Sequence, residues 1–177
     1  VRVEYDVGWN IYEADGDITV VRPEQIIVET YNSDFQLLES RTMALELPLW
    51  GGFYAGADYN FLVFGQENPS ENDNTEVIRV VKYDKEWNRL GQASLRGANT
   101  TAPFEAGALR MDEYEGYLYV RTCHTMYTSS DGLNHQANLT FSVRESDMAI
   151  TDSFSDVAST PAGYVSHSFN QFILVDQ

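Results

Sequence analysis

A short apolar run occurs three times along this 177-residue chain at almost constant spacing. The three copies are Asn60–Phe64, Gly116–Val120 and Gln171–Val175. Their leading aromatic residues lie 56 and 55 residues apart. Each copy follows a short segment rich in small residues: Gly52–Gly56, Ala106–Arg110 and Ala162–Ser166. A period of this length is typical of a chain built from repeated units, each of which buries an apolar face against its neighbour.

A second recurring segment fixes the register of the repeat. Ile27–Phe35 aligns with Arg79–Trp87, because their tyrosines are 52 residues apart and an aromatic residue follows four positions after each tyrosine. Val143–Met148 is a weaker third copy with the same spacing. The predicted unit therefore holds four strands, which we name a to d. It occupies residues of about 7–47, 51–96 and 105–155, with a half copy at 162–175.

The whole pattern predicts an all-β fold. No stretch of a dozen residues keeps the apolar spacing of an amphipathic helix. Short runs of Val, Ile, Tyr, Phe and Thr instead alternate with clusters of Asn, Asp, Gly and Ser, which is typical of strands joined by turns. Asp15 and Gly16 form the predicted turn between strands a and b of the first unit. The most clearly predicted strands are Gln25–Tyr31, Phe61–Phe64, Val77–Tyr83, Tyr117–Thr122 and Leu139–Val143.

Val81–Leu90 and Ser130–Asn138 are the most distinctive stretches of the pattern. With the four-stranded unit they resemble the β-propeller blades of exported or surface-attached bacterial proteins of unassigned activity. The resemblance implies a single segment of antiparallel four-stranded blades over residues 1–177 and no enzyme class. About three and a half blades are present, whereas propellers have about four to eight. We therefore expect the remaining blades to come from the parent chain or from another copy of it.

The chain is strongly acidic, with 11 Lys and Arg residues, 27 Asp and Glu residues and a formal net charge of −16. This charge repels phosphate backbones and anionic lipid surfaces, so no nucleic-acid partner and no binding to a membrane surface are expected. No apolar run approaches the roughly 20 residues that span a bilayer, so no membrane insertion is expected. Cys123 is the only cysteine, which excludes an internal disulfide and a cysteine-built zinc site. The low lysine and high tyrosine content favours an extracellular or cell-surface protein.

Three histidines form the first candidate site: His124, His135 and His167. His124 ends strand b of the third unit and His135 begins its strand c, with a turn between them that sets His135 opposite Met126. The two imidazoles are then diagonal neighbours, and His167 follows strand a of the next copy. Three imidazoles at one rim can bind a metal or transfer protons. The alternative is that all three are structural residues that only form hydrogen bonds.

Carboxylates give two further candidate sites. Glu105, Asp112, Glu113 and Glu115 crowd strands a and b of the third unit, where a glycosidase-like acid–base pair is one interpretation and a solvated acidic rim is the other. The loop Glu67–Glu76 is rich in oxygen ligands and is a candidate calcium site. It lacks the spacing and the glycine of an EF-hand, so the alternative is a polar loop without metal. No other cofactor is predicted.

Aromatic residues near the predicted loops are candidate ligand contacts. Exposed Trp and Tyr side chains stack on sugar rings and anchor protein interfaces. Trp50, Tyr59 and Tyr127 are the predicted binding residues of this kind, and packing in the core is the alternative for each. Trp87 and Tyr83 are predicted to pack between blades.

The predicted function is a non-catalytic recognition or scaffold module that binds a glycan or a protein at the propeller rim. None of the nucleophile-elbow, phosphate-loop, dinucleotide or zinc-protease motifs occurs in the chain. Cys123 is predicted to be an inert buried thiol, on the face of its strand opposite to His124. The alternative function is an enzyme with a histidine-lined site at the propeller channel, with or without a metal.

Overall fold

The computed structural model describes residues 1–6, 9–11, 20–22, 24–105, 108–156, 158–160, 163–165 and 172–175. Every regular element within these ranges is a β-strand and every strand pairing is antiparallel, so the predicted all-β fold is confirmed. The described part of the chain contains no helix that is long and apolar enough to cross a membrane. The chain divides into two compact units, Val1–Glu46 and Leu47–Gln177.

The first unit is built around one buried strand. Its strands are β1 (Arg2–Asp6), β2 (Trp9–Ile11), β3 (Val20–Arg22), β4 (Gln25–Tyr31) and β5 (Leu37–Ala44). β4 is the centre of a three-stranded sheet of order β1-β4-β5, and β2 and β3 form a separate pair. Ile26 and Val28 of β4 are buried at alternate positions, as expected for a strand with one apolar face. The predicted Asp15–Gly16 turn lies outside the described residues.

The second unit begins with a sheet of four successive strands. These are β6 (Leu49–Ala55), β7 (Asn60–Gly65), β8 (Glu76–Tyr83) and β9 (Arg89–Arg96), paired in the order β6-β7-β8-β9. Every residue of β7 is buried, because Phe61 and Val63 cover one face of the strand and Leu62 and Phe64 the other. The sheet covers residues 49–96, nearly the same range as the predicted unit 51–96.

A second sheet in the same unit is organised around one long strand. The strands that follow are β10 (Ala102–Pro103), β11 (Arg110–Tyr114), β12 (Tyr117–Thr128), β13 (Asn134–Arg144), β14 (Ala149–Asp156), β15 (Ala158–Thr160) and β16 (Gly163–Val165). β12 pairs with β13 on one side and with both β10 and β11 on the other, and β14 pairs with β13. In the predicted strand Ala106–Arg110, Ala108 and Leu109 form no strand, and the pairing with β12 begins at Arg110. Residues 106 and 107 of this prediction lie outside the described residues. β10 pairs with Thr125 and His124, further along β12.

The turns after β4 and β8 have the same geometry. In each, the backbone N–H of the first residue, Asn32 or Asp84, donates to the carbonyl four residues later. Its side-chain oxygen accepts the amides two and four residues later. Phe35 and Trp87 take the same left-handed position, with φ of 59° and 68°. The two segments aligned from sequence thus form equivalent turns.

The two sheets of the second unit share one apolar core. Phe61 of the first sheet and Phe141 of the second are fully buried members of this cluster. Trp87 and Tyr83 are both buried and contact each other, and their packing between blades stays a prediction. Their ring centroids are 5.7 Å apart, and Trp87 is 5.8 Å from Phe53 of the same sheet. The left-handed turn position of Trp87 accompanies this packing against its own sheet.

The predicted strand at the end of the chain, Gln171–Val175, is wrong over its described part. Residues 172–175 form no strand. The preceding strand, β16, which was expected to pair with it, pairs instead with β15. The backbone N–H of Val175 donates to Asp112 Oδ2 at 3.2 Å.

Candidate functional site

A fully buried histidine on β12 forms hydrogen bonds to the loop before β10 and to the edge strand β14. His124 lies on β12, opposite Ala137 of β13, and its side chain has no exposed surface. Its Nδ1 is 2.7 Å from Thr100 Oγ1, in the loop before β10. Its Nε2 is 3.1 Å from Ser155 Oγ on the edge strand β14. The imidazole therefore connects a buried hydroxyl on one side with a hydroxyl on an exposed strand on the other.

The hydrogen bonds of Thr100 assign the tautomer of this histidine. Thr100 Oγ1 donates its single proton to the carbonyl of Ala98 at 3.0 Å. It must then accept the N–H of His124 Nδ1, which leaves Nε2 without a proton and able to accept the Ser155 hydroxyl. Burial lowers the pKa of His124 to about 4, because no counter-charge compensates the loss of water around the imidazolium. The ring is thus a neutral acceptor for Ser155 at neutral pH.

Ser155 borders a cavity of about 210 Å³. The cavity is lined by Ala98, Asn99, Leu139, Ser153, Phe154 and Ser155. Ser153 and Ser155 lie two residues apart on β14, and Leu139 is the cross-strand partner of Ser155. Its volume lies below the usual range for ligand pockets, which favours a small group over a large one.

The other wall of the cavity is an unusual stretch of backbone. Gly97, Ala98 and Asn99 have successive φ angles of 56°, 48° and 50°, a left-handed turn closed by the Thr100 amide on the Gly97 carbonyl. Gly97 is required there, because a Cβ would lie 2.7 Å from the Asp73 backbone. Within the described ranges the amide N–H groups of Ala98 and Asn99 donate no hydrogen bond. The cavity wall thus contains two free backbone donors.

No protein-family model, curated protein or solved structure matches this chain. The functional inferences below therefore rest on the geometry of the described residues.

The other two histidines do not join His124 in a common site within the described residues. The register keeps His135 diagonal to His124, but an irregularity between Thr125 and Thr128 replaces the predicted pairing with Met126. His135 Nε2 is 2.7 Å from Asp131 Oδ2, so its ring contacts a different partner from those of His124. His167 lies outside the described residues. In the ranges given above, no three His, Cys, Asp or Glu side chains are grouped closely enough to hold a metal ion.

The three predicted aromatic contacts are half-buried and already contact other groups. Trp50 packs edge-on against Phe64, with ring centroids 5.7 Å apart. Tyr59 lies against the core and carries Lys82 Nζ 4.5 Å above its ring. The Tyr127 hydroxyl donates to Asp73 Oδ1 at 3.2 Å. A role in ligand binding stays a prediction for all three.

The oxygen-rich loop Glu67–Glu76 binds the neighbouring sheet through its own side chains. Asn68 is 1% exposed, and its Nδ2 donates to the carbonyls of Asn72 and Thr100 and contacts the Tyr127 hydroxyl at 3.1 Å. Glu71 Oε1 accepts the backbone N–H and the hydroxyl of Thr128, which lowers the pKa of its carboxyl. These contacts join the loop to the β12–β13 hairpin. Calcium binding here stays a prediction.

An acidic pocket of about 290 Å³ lies between turns of the two sheets. It is lined by Ala57, Asp58, Glu113, Tyr114, Glu115, Gly116 and Glu145. Burial raises the pKa of Glu145, and the charge of Glu113 raises it further. Two carboxylates predicted from sequence, Glu113 and Glu115, are therefore in one site. The other two predicted carboxylates lie outside this pocket. Asp112 accepts hydrogen bonds from the Tyr54 hydroxyl and the Val175 amide, and Glu105 accepts one from the Thr125 hydroxyl.

Sequence reasoning missed Ser155, Thr100, Asp58 and Glu145. Ser155 and Thr100 are single hydroxyl residues, 31 and 24 positions from His124 in the chain, and no local motif surrounds them. Asp58 lies in the turn between β6 and β7, and Glu145 lies in the turn between β13 and β14. These are different turns of the predicted unit, so no repeat equivalence brings the two carboxylates together from sequence.

Proposed function

We propose that this chain is a recognition module made of β-propeller blades and displayed outside the cell or at its surface. Two antiparallel sheets of successive strands that share one apolar core support the blade interpretation, since each blade of a propeller packs on the next. The equivalent turns after β4 and β8 support a repeated unit.

The remaining blades of the ring are the first partners of this module. They come from the parent chain or from a second copy. Phe172 and Leu174 support this proposal, because they are 79% and 87% exposed in a segment that the repeat assigns to strand b of the next unit. Apolar side chains at alternate positions are what a strand buries when its sheet is complete.

The binding site of the module is the acidic pocket between the β6–β7, β11–β12 and β13–β14 turns. The observation that carries this assignment is that Asp58, Glu113, Glu115 and Glu145 from two sheets border one polar cavity beside Tyr114. Lys82 Nζ donates to the Glu145 carbonyl at 2.6 Å, so the pocket floor is fixed to the first sheet. Loops held by a rigid sheet are the usual place for recognition.

The charge of the pocket favours a protein partner over a glycan. Four carboxylates in a chain with a net charge of −16 attract a Lys or Arg side chain, whereas a neutral sugar gains only hydrogen bonds. The proposed ligand is therefore a basic segment of a partner protein, and a glycan is the alternative that the experiment distinguishes.

The test is titration of the chain with an oligolysine peptide and with neutral oligosaccharides. Replacing Asp58→Asn together with Glu115→Gln should weaken peptide binding about tenfold, or roughly 1.4 kcal/mol. Raising the ionic strength should weaken it further, because the contact is electrostatic.

The matched control is Asp34→Asn with Glu39→Gln, which removes the same charge from exposed positions in the first unit. Equal losses of peptide affinity in both double variants would indicate non-specific electrostatic attraction and contradict the assignment to the pocket. Oligosaccharide binding that depends on Asp58 and Glu115 would favour the glycan, and binding of neither probe would contradict the proposal.

A further inference from the structure

A hydroxyl with a positioned base beside a cavity is the arrangement of a nucleophile. Ser155 Oγ lies 3.1 Å from the unprotonated Nε2 of His124, within reach for proton transfer. Thr100 holds the opposite nitrogen at 2.7 Å and fixes the tautomer, the part that a third residue plays in such sites. Ser155 itself is exposed, so a substrate can reach it without opening the sheet.

We infer that Ser155 is a nucleophile that accepts a short acyl group from an ester in the cavity bordered by Ala98, Asn99 and Phe154. The base is His124, and the positioning residue is Thr100. The small cavity and the apolar side chain of Leu139, which is paired with Ser155, suit a short aliphatic acyl chain. This activity is separate from recognition in the acidic pocket, which shares none of these residues.

The reaction balances without a redox partner. Ser155 Oγ forms a bond to the acyl carbon while its proton moves to His124 Nε2. The bond from the acyl carbon to the alcohol oxygen breaks, and the alcohol leaves with the proton from Nε2. Water then attacks the acyl carbon, gives one proton to Nε2 and releases the acid as Oγ regains that proton. The free amides of Ala98 and Asn99 supply donors for the negative charge on the carbonyl oxygen.

The direct experiment is labelling of the folded chain with a fluorophosphonate, followed by peptide mapping. Ser155 should react about 100-fold faster than other serines, at the lower end of what a positioned base contributes. Ser130→Ala is the control, because Ser130 is an exposed serine in the turn between β12 and β13 and does not line the cavity. It should keep the labelling, and Ser155→Ala should abolish it. Labelling spread evenly over serines, labelling that survives in Ser155→Ala, or no labelling of Ser155 would overturn the proposal.

The pH dependence of 4-nitrophenyl acetate cleavage tests the base separately. With the pKa of His124 near 4, the rate should be constant from pH 5.5 to 8 and fall below about pH 4. A rate that instead rises tenfold per pH unit would indicate hydroxide attack and contradict the role of His124.

The charged groups on the neighbouring elements contact partners other than His124 and Ser155. Asp156 pairs with Arg121, Glu105 accepts from the Thr125 hydroxyl, and His135 pairs with Asp131. Thr100→Val should slow cleavage, and Thr100→Ser should restore it, because only the serine keeps the hydroxyl that orients the ring. Equal rates in the two variants would remove Thr100 from the site.

Discussion

The charge state of His124 affects the folded chain. It is fully buried and forms hydrogen bonds only with neutral hydroxyls, so a proton added to its ring would create a buried cation without a counter-charge. The folded chain therefore keeps the ring neutral, with its pKa lowered from 6.5 to about 4. The unfolded chain has no such constraint, and this difference makes stability depend on pH.

The free energy of unfolding should fall as the pH is lowered from about 6.5 to 4. In this interval the unfolded state binds a proton at His124 and the folded state does not. The contribution of His124 to the free energy of unfolding is therefore fully present above pH 6.5 and is lost as the pH falls to the folded-state pKa. The loss is of the order of 3 kcal/mol, at most about 1.4 kcal/mol per pH unit. Urea denaturation at several pH values measures it.

His124→Gln is the control for this measurement, because glutamine does not titrate. The carboxyls whose pKa values are lowered, such as those of Glu71 and Glu76, affect stability mainly at lower pH. The interval from pH 6.5 to 5 therefore separates the histidine from them. The same pH dependence in His124→Gln and in the unmodified chain would refute the assignment.

At the scale of elements, the loop Glu67–Glu76 binds its own sheet to the next one. Asn68 uses both hydrogens of its amide on the carbonyls of Asn72 and Thr100, and its Oδ1 accepts the Asn72 amide. Thr100 is also the partner of His124, so the loop supports the site around that ring.

Asn68→Ala should lower the free energy of unfolding by about 2–3 kcal/mol, because it leaves the buried carbonyl of Thr100 without the side-chain donor of Asn68. Asn74→Ala, in the exposed part of the same loop, should change it by less than about 0.5 kcal/mol. Thermal or urea unfolding of the two variants gives the comparison. A similar small change in both would mean that the loop contributes little to the joining of the sheets.

The elements differ in how far sequence predicts them. The strands Gln25–Tyr31 and Val77–Tyr83 are predictable because they are runs rich in β-branched and aromatic residues, which favour a strand paired on both sides. Both strands are confirmed. Ala108, Leu109 and residues 172–175 are predicted as parts of strands but form none, because pairing with strands distant in the chain decides where a ladder begins and ends. The Ser155–His124 contact was unpredictable for the same reason, since it depends on which edge strand reaches His124.

At the scale of the whole molecule, the two sheets of the second unit depend on one core. Phe61 and Phe141 come from different sheets and are buried in the same cluster. A substitution that leaves a cavity at either position therefore removes contacts from both sheets, and the two sheets should unfold together.

Phe141→Ala should cost about 3–5 kcal/mol of stability. Hydrogen exchange should then accelerate in β7 and β8 as well as in β12 and β13, because the lost contacts are shared. Phe154→Ala is the control, since Phe154 is 53% exposed on the edge strand. Faster exchange in the second sheet alone would indicate that the two sheets unfold independently.

The single sulfhydryl of the chain offers a readout of this cooperativity that needs no substitution. Cys123 lies in the middle of β12, with no exposed surface, opposite Asn138. A thiol-specific chromogenic reagent cannot reach it until the strands around it separate, so its rate of modification follows the opening of the central sheet. The modification rate of this one thiol thus reports how often the sheet opens in the unsubstituted chain.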